Sequence, residues 1–590
     1  MIKSVRGKIW QQAQVNENYI IELRRNLGIS DFLAQILSTR TANTQEAFEF
    51  LNPKIKDSLP DPFHLLDMDK AVERTIQAIS SKHKICIFAD YDVDGATSSA
   101  LLKNMFRDLG YEVDIYVPDR IIEGYGPTPQ AMQKIKDGGT DLLITVDCGT
   151  MAVEALEHAA SIGLDVIVID HHISCDALPP AIAIINPNRL DETSKYRYLA
   201  AVGVSFLFAT ALISKLKNQN YFGDNVQIPN LIGYLDLVAL GTVCDVMMLT
   251  GLNRVFVAQG LKVINRRENI GLNALFDIAG LDEKPSCYHL GFVIGPRVNA
   301  GGRVGKSNLG ATLLSTLDDN AATRIAAELN QHNDERKIIE AMMLEEAFAI
   351  AETQKDDNML FIIGQRWHVG VIGIIAARLK DKYNKPTAVI AINDKIAKAS
   401  CRSIKGIDFG LKIIEAKNND LISSGGGHAM AAGFTTAEEL LAPLHDYLNN
   451  LFEKDFEKFT GDCVHIYSFQ LTTESINPEL MSEISKLEPY GNGNPEPLFK
   501  FSNLFVLKAD IVGEKHIKCL FASERNSYGA KPISAIAFNA TATEIGRALL
   551  DRKPNSLSVI GTLKSNNWQG IERIQLQVID IIIEKDLKFA

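Results

Sequence analysis

Short apolar runs recur between residues 85 and 170, and each is followed by a polar turn and then by a stretch with helical periodicity. The apolar runs are 85–89, 113–117, 142–146 and 166–169, and the helical stretches are 98–109, 128–136 and 152–162. This alternation is typical of βαβ units, in which a helix connects two parallel strands. Strands without a polar face are expected to be buried on both sides. The pattern therefore predicts an α/β fold built on a parallel sheet.

The first predicted strand is followed by the sequence Asp90-Tyr-Asp92-Val-Asp94-Gly. Three carboxylates at alternate positions repel one another unless a cation lies between them. The same letters open the calcium loop of an EF-hand, but that loop requires a glutamate at its twelfth position, which is Leu101 here. An EF-hand loop also follows a helix, whereas a strand is predicted here. The sequence thus indicates an oxygen-rich cation site of another kind.

Two further predicted strands end in acidic and imidazole side chains. One is followed by Asp147, and the other by Asp170-His171-His172. Because ligands of open α/β sheets collect beyond the carboxyl ends of the strands, we expect all three strand ends to form one site. Carboxylates combined with imidazole favour Mn²⁺ or Mg²⁺ over copper or a structural zinc ion. Asp236, in a later apolar segment, is a fourth expected contributor.

In this order, the motifs resemble those of the DHH phosphoesterase superfamily, and within it those of the branch that degrades single-stranded DNA. The resemblance covers nearly the whole chain. Beyond the three strand ends, it is carried by the segments Leu235–Asp245, Phe292–Arg303, Trp367–Gly373, Gly425–Gly433, Pro489–Pro497 and Gly561–Trp568. An ordered series of motifs is far more specific than any one of them.

The resemblance implies an α/β architecture of several domains. A parallel-sheet DHH domain is joined by a long helix to a smaller α/β DHHA1 domain, and a C-terminal OB-fold β-barrel follows. The implied divisions are a helical segment at 1–50, the DHH domain at 51–315, the connecting helix at 316–357, the DHHA1 domain at 358–457 and the OB fold at 458–590. The residues themselves support the connecting helix, since 317–363 contains neither glycine nor proline. A dimerising coiled coil is disfavoured there because heptads are not sustained.

As the resemblance implies, the activity is that of a 5′→3′ exonuclease specific for single-stranded DNA, acting in DNA repair and recombination. It would release 5′-mononucleotides by two-metal-ion hydrolysis. The implied ligands of two Mn²⁺ or Mg²⁺ ions are Asp90, Asp92, Asp94, Asp147, His171 and Asp236, with Asp147 bridging. The implied catalytic residues are Asp92, Asp94, Asp147, His171, His172 and Asp236. His172 would contact the substrate phosphate, although a second role as a structural ligand stays open, and Asp170 would orient a histidine.

The residues implied to bind the substrate are Arg120, Arg297, Asn299, Arg303, Ser400, Arg402 and His428. The first group, Arg297, Asn299 and Arg303, would hold the scissile phosphate, because a guanidinium donates two hydrogen bonds to phosphate. The remaining residues would hold the 5′-terminal phosphate, although an isolated surface arginine is more commonly a solvated ion-pair partner. A Walker A loop ending at Gly305-Lys-Ser is rejected, because Ala300 stands where that motif requires glycine.

The chain carries 61 basic and 72 acidic residues, a net charge of −11, which excludes a uniformly basic nucleic-acid-binding protein. Residues 489–590 differ, with 13 basic and 10 acidic residues. OB folds bind single strands through basic grooves and aromatic side chains. The aromatic candidates are Phe499, Phe505, Tyr528 and Trp568, with Lys515, His516, Lys518 and Lys564 around them. We expect one of the four aromatic residues to stack on bases and the others to belong to the barrel core.

Two other functions stay open: a small-substrate DHH phosphodiesterase, acting on oligoribonucleotides or cyclic dinucleotides, and a non-catalytic replication scaffold, which should lack metal ligands. The expected partners are single-stranded DNA with a 5′ end, a single-strand-binding protein and a helicase, and no membrane. Eight cysteines without a CxxC pair argue against disulfides or a thiolate zinc site. With no apolar run near the ~20 residues that span a bilayer, a cytoplasmic protein is expected.

Overall fold

The computed structural model describes residues 2–119, 123–124, 126–174, 176–222, 228–456, 464–523, 531–551, 556–568 and 571–584. The chain forms two compact units. One comprises Pro60–Met247 and Gly260–Thr460, and we call it the catalytic unit. The other comprises Met1–Leu59, Met248–Gln259 and Gly461–Ala590, and we call it the barrel unit.

The chain begins with one strand and four short helices of the barrel unit. They are β1 (Ile9–Gln12), α1 (Glu17–Leu27), α2 (Asp31–Ser38), α3 (Thr44–Leu51) and α4 (Ile55–Ser58). Three of these helices begin at an asparagine or serine whose side chain accepts a hydrogen bond from a backbone N–H of the first turn. Their buried apolar faces form one cluster together with Leu487.

A five-stranded, fully parallel sheet in the order β3-β2-β4-β5-β6 lies at the centre of the catalytic unit. The elements of this part are α5 (Met68–Ser81), β2 (Ile85–Ala89), α6 (Val93–Asp108), β3 (Asp114–Tyr116), α7 (Pro129–Asp137), β4 (Leu142–Val146), α8 (Val153–Ser161), β5 (Asp165–Ile169), β6 (Ala183–Ile185), α9 (Ala201–Asn218), α10 (Leu235–Cys244), the end of α11 (Gly251–Ile264), α12 (Ile270–Ile278), α13 (Gly295–Val304) and α14 (Leu309–Ser315). The residues of α11 up to Gln259 belong to the barrel unit. The strands β2 and β4 are buried at every residue, as their apolar sequences require. The predicted parallel sheet is confirmed, and β6 is an additional strand that the sequence analysis did not identify.

A single helix of 35 residues, α15 (Asp319–Thr353), follows. Its N-terminal half buries Ile325 and Leu329 and packs on α12, α13 and α14. Its C-terminal half buries Met343 and Ala347 in a different cluster, together with Leu360 of the next strand. The predicted connecting helix is therefore present, and each half of it contributes to a separate core.

The second part of the catalytic unit has a smaller mixed sheet in the order β10-β11-β9-β8-β7. Its elements are β7 (Leu360–Gln365), α16 (Ile372–Tyr383), β8 (Thr387–Asn393), β9 (Ile396–Arg402), α17 (Phe409–Asn418), β10 (Ser424–His428), β11 (Ala431–Ala437) and α18 (Leu441–Phe456). Only β7 and β8 pair in parallel. The edge strand β10 consists largely of glycine, which brings its backbone close to Gly410 at the start of α17.

The C-terminal part of the barrel unit is a closed barrel. Its elements are β12 (Val464–Tyr467), β13 (Phe469–Leu471), α19 (Pro478–Ser485), β14 (Phe499–Val512), β15 (His516–Ala522), β16 (Ile533–Ala537), α20 (Glu544–Leu550), β17 (Leu557–Trp568) and β18 (Ile571–Ile583). The strands run in the order β13-β14-β15-β16-β18-β17, and pairing of β17 with β14 closes the sheet. The predicted OB fold is confirmed. The strand β12 also pairs in parallel with β1 at the start of the chain.

Candidate metal centre

Three parallel strands end side by side at one edge of the central sheet. In the register of the sheet, Ala89 lies beside Val146, and Val146 lies beside Ile169. The residues that follow these positions are Asp90, Asp147 and Asp170, so three carboxylates leave the sheet at the same level. This is the crevice beyond the carboxyl ends of the strands where open α/β sheets bind ligands.

The turn after β2 folds tightly into the helix α6. Asp92 caps this helix, and its Oδ1 atom accepts hydrogen bonds from the N–H groups of Asp94 (2.9 Å) and Gly95 (3.1 Å). A Cβ atom on Gly95 would lie 2.3 Å from the carbonyl oxygen of Asp90, so only glycine fits. The sequence pattern of alternate aspartates is thus closed into a compact loop with the carboxylates close together.

Asp94 is anchored by a second helix. Its carboxylate accepts hydrogen bonds from the N–H groups of Ala201 (2.7 Å) and Val202 (2.9 Å) at the start of α9. An anion is favoured at this end of a helix. Burial and the neighbouring Asp92 nevertheless raise the pKa of Asp94 to about 7. The contacts fix the carboxylate in place although its charge is unfavourable without a cation.

Seven side chains form overlapping groups whose ligand atoms lie within 4.8 Å of one another. The groups are Asp90 with Asp92 and Asp147, Asp94 with His171 and Asp245, and Asp147 with His171 and His172. The sequence analysis named six of the seven as metal-binding or catalytic residues. The seventh, Asp245, was not predicted. The donor set of five carboxylates and two imidazoles has the chemistry that Mn²⁺ and Mg²⁺ require.

His171 lies at the centre of the cluster. Its Nε2 atom is 3.2 Å from Asp147 Oδ1, 3.6 Å from Asp245 Oδ2 and 3.8 Å from Asp94 Oδ2. This atom is buried and makes no hydrogen bond within the described part of the chain. Burial, followed by the neighbouring His172, lowers the pKa of His171 to about 4, so the ring is neutral at neutral pH. A buried, neutral imidazole nitrogen facing three carboxylates fits a metal ligand.

The carboxylates around His171 are unfavourably crowded. Burial, followed by repulsion from Asp92, Asp94 and other aspartates, raises the pKa of Asp147 well above its usual range. The same two causes raise the pKa of Asp245 to about 9. Asp147 also has a left-handed backbone, with a φ of 60°. A bound cation would relieve this repulsion, so the electrostatics fit an occupied metal centre.

His172 is held differently from His171. Asp170 accepts hydrogen bonds from His172 Nδ1 (2.7 Å), from the His172 N–H and from the N–H of Thr150. Burial opposes the charged ring, but the bond to Asp170 and nearby carboxylates raise the pKa of His172 to about 9. The side chain is 45% exposed. It therefore presents a positive charge to solvent beside the carboxylate cluster, and Asp170 is the residue that orients it.

The prediction of Asp236 as a metal ligand and catalytic residue is not supported by its position. It lies in the first turn of α10, where it accepts a hydrogen bond from the N–H of Leu237 (2.6 Å), and it belongs to none of the metal-ligand groups. Asp245 caps the other end of the same helix. The two positions are nine residues apart in sequence, about 13.5 Å along the helix axis. The residue of this segment that joins the cluster is therefore Asp245.

The three residues expected to hold the scissile phosphate lie on α13. A Cβ atom on Gly302 of this helix would lie 3.0 Å from the carbonyl oxygen of Tyr91, so the helix packs against the metal loop. Arg297 donates hydrogen bonds to Asn330 Oδ1 (3.0 Å) and to the Val293 carbonyl (2.7 Å). Arg303 donates to the carbonyl oxygen of Gly370 (2.9 Å), and Asn299 is half-buried.

Three of the residues expected to bind the strand end lie on the smaller sheet. Arg402 donates a hydrogen bond to Ser400 Oγ (3.2 Å), and both lie beside Gly373 at the start of α16. Arg402 and His428 pair with Ala431 from opposite sides, which places their backbones about 10 Å apart. His428 is exposed. Arg120 lies outside the described residues.

The aromatic residues of the barrel differ in how far their side chains are buried. Phe499 is fully buried in the core, and Phe505 is half-buried. Tyr528 and the side chain of Trp568 lie outside the description. The sequence analysis missed Phe538, which is 53% exposed and contacts the His516 ring edge-on at 5.2 Å. Phe538 directly follows β16, whose buried residues alternate with more exposed ones. Continuing this alternation by one residue would have predicted an outward-facing Phe538.

Comparison with known proteins gives a consistent result. Residues 84–242 match the DHH family, N-terminal domain, residues 356–454 the DHHA1 domain and residues 467–580 the RecJ OB domain. The chain is 36% identical to the single-stranded-DNA-specific exonuclease RecJ of Escherichia coli, over 90% of this chain and 92% of the relative. It is 32% identical to the Bacillus subtilis RecJ, over 98% of this chain and 71% of the relative.

A solved structure agrees with these sequence matches. The structure of RecJ from Thermus thermophilus in complex with Mn²⁺ superposes with a TM-score of 0.81 at 26% identity, covering 98% of this chain and 80% of that one. A Mg²⁺ complex of the same protein gives a TM-score of 0.75. Separately, none of the helices in the described ranges is long and apolar enough to cross a bilayer.

Proposed function

This chain belongs to the RecJ family of single-stranded-DNA-specific exonucleases, and on that premise we propose that it digests single strands from the 5′ end and releases 5′-mononucleotides. The observation that supports the proposal most is the cluster of five aspartates and two histidines at the edge of the parallel sheet. A scaffold protein has no need to bury so many mutually repelling carboxylates. The enzyme is a hydrolase that uses Mn²⁺ or Mg²⁺.

We assign two metal positions to the cluster. One would be held by Asp90, Asp92 and Asp147, and the other by Asp94, His171 and Asp245, with Asp147 close to both. Two divalent ions supply an activated water molecule and neutralise charge on the phosphate that is attacked. His172, positively charged at neutral pH and held by Asp170, is placed to donate a hydrogen bond to a phosphate oxygen. Arg297 and Arg303 would bind phosphates of the strand from α13.

For the 5′ end itself, we propose a phosphate site at Ser400, Arg402 and His428, with Arg120 as a further contributor. Ser400 and Arg402 lie beside Gly373 at the N-terminal end of α16, where backbone N–H groups favour an anion. A terminal phosphate carries more negative charge than an internal one and would be preferred there. In cells, we propose a helicase and a single-strand-binding protein as partners in DNA repair and recombination, and action in the cytoplasm.

The direction of digestion is tested with single- and double-stranded oligonucleotides labelled at either end, in Mn²⁺. We expect immediate release of a labelled mononucleotide from the 5′ label on single strands only, and late release from the 3′ label. An Asp147→Asn variant is the control for contaminating nucleases. Cleavage restricted to dinucleotides would instead favour a small-substrate phosphodiesterase, and no cleavage at all would favour a scaffold.

Removal of divalent cations should lower the stability of the protein. At saturating Mn²⁺, about 100 times its dissociation constant, binding contributes about 2.7 kcal/mol to the free energy of unfolding. We therefore expect chelation to lower the melting temperature by a few degrees, measured by differential scanning calorimetry. The same shift in an Asp147→Asn variant would show that the stabilising ion binds elsewhere.

Phe538 is the best exposed candidate for base stacking on the barrel, because it stands beside His516 and the exposed Lys515 and Lys518. Stacking on one base contributes about 1–3 kcal/mol. We expect Phe538→Ala to weaken the binding of a long oligothymidylate about tenfold in fluorescence anisotropy. The exposed Ile466 on β12 offers a matched control. If Ile466→Ala weakens binding equally, the loss does not come from stacking.

A further inference from the structure

Two neighbouring aromatic side chains of the catalytic unit are largely exposed to solvent. Tyr288 is 63% exposed and Phe292 is 72% exposed. Their rings lie 5.2 Å apart at an interplanar angle of 29°, so they stack on each other. Exposed apolar patches of this kind mark binding surfaces. We call this pair the aromatic platform.

The aromatic platform is carried by an unusual backbone. The residues His289–Ile294 form a π-helical turn that leads directly into α13. π-Turns are rare and occur frequently at functional sites. The turn displaces the helix face, and it leaves Phe292 pointing to solvent while Leu290 and Ile294 on either side of it are fully buried.

The π-turn is fixed to the metal centre through α10. The Cys244 thiol contacts the carbonyl oxygen of Leu290 at 3.4 Å. A Cβ atom on Gly295 would lie 2.5 Å from Cys244 Sγ, so glycine is required for this close packing. Cys244 is followed immediately by Asp245, whose carboxylate belongs to the cluster. The turn that carries the platform therefore packs directly against the end of α10 that precedes a metal ligand.

Positive charge accompanies the aromatic rings. Arg297, one turn beyond the platform, donates a hydrogen bond to the carbonyl oxygen of Val293, the neighbour of Phe292. A cationic group for the backbone and an aromatic face for the bases are the two elements with which proteins bind single strands. This combination, on a turn that packs against the end of α10 preceding Asp245, favours nucleic acid over a protein partner.

We propose that Tyr288 and Phe292 stack on nucleobases of the DNA strand next to the scissile phosphate and so position that phosphate at the metal centre. The inference rests on the proposed function. They are positioning residues, because they touch bases and not the reacting atoms. Since every base has an aromatic face, the platform would act without sequence preference.

The test compares the binding of protein variants to two substrates, one with bases and one without. Binding to an inactive Asp147→Asn protein is measured with an oligothymidylate and with the same oligomer carrying abasic residues near its 5′ end. We expect Phe292→Ala to weaken binding of the normal oligomer roughly 5- to 150-fold and to leave binding of the abasic oligomer nearly unchanged. Phe292→Trp should restore binding, and in the active protein the loss should fall mainly on KM.

Ile338→Ala, at an exposed position on α15, provides the matched control. Equal losses on the normal and abasic oligomers would overturn the proposal, because the substitution would then act through the fold, as would full binding by Phe292→Ala. Failure of the unsubstituted active protein to degrade single strands would contradict the proposed function instead. The two failures are distinguishable because the binding comparison does not depend on hydrolysis.

Discussion

Replacement of Asp147 by asparagine is expected to reduce hydrolysis about a thousandfold or more and, at the same time, to stabilise the chelated protein. Asp147 is buried and takes part in two of the three ligand groups. Loss of its charge should remove several kcal/mol of metal-dependent stabilisation of the transition state. Asparagine is a suitable replacement because it tolerates the left-handed backbone at this position.

The gain in stability has an electrostatic cause. Burial and neighbouring aspartates raise the pKa of Asp147 in the folded protein, so folding favours its protonated form. This contribution is present below the unfolded-state pKa of about 4 and is lost as the pH rises through the folded pKa. In EDTA at neutral pH, Asp147→Asn should therefore unfold at higher urea concentration than the parent protein. A variant that is less stable at neutral pH would contradict the crowding argument.

Asp245 and Asp236 offer the sharpest test of the metal centre, because they belong to one helix and were indistinguishable by sequence. We expect Asp245→Asn to lose about a hundredfold or more in kcat/KM and to require more Mn²⁺. Asp236→Asn should retain activity within about threefold. Its carboxylate contacts the backbone of Leu237, and burial raises its pKa to about 7.

Single-turnover rates across a Mn²⁺ titration distinguish the two variants from a general loss of folding. Both substitutions replace one carboxylate oxygen by an NH2 group, so they are matched in size, and they fall at a buried and a half-buried position. A similar defect in both variants would mean that α10 matters as a structural element only. A defect larger in Asp236→Asn would contradict the assignment of Asp245.

The strand ends of the central sheet were predictable because one physical rule governs them. Apolar runs bounded by polar turns form buried parallel strands, and parallel strands of one sheet end at one edge. Asp90, Asp147 and the histidine pair follow directly from that rule. The choice between Asp236 and Asp245 does not, because α10 is apolar on every side and only tertiary packing decides which end faces the cluster.

Side-chain exposure was predicted less well than backbone structure. In the barrel, Phe499 and Phe501 alternate with outward residues and fill the core, whereas Phe538 just beyond a strand remains exposed. Tyr288 and Phe292 are four residues apart, a spacing typical of a buried helix face. The π-turn, which the sequence does not indicate, changes that face. Local departures from ideal helix geometry thus limit what periodicity can predict.

The barrel unit is assembled from the two ends of the chain. Trp10 Nε1 donates a hydrogen bond to the buried Asp580 (3.1 Å), and β1 pairs with β12. Arg254, between these ends in sequence, donates to carbonyl oxygens of Phe50 and Glu488.

On the ribosome, the first 59 residues must therefore wait for about 400 more to be made, on the order of half a minute at usual rates. During that interval the apolar cluster of the first helices lacks Leu487, and β1 lacks its partner strand β12. Nascent chains of this protein should therefore depend on chaperones, and truncation before the barrel should expose part of the N-terminal segment as well as remove the barrel.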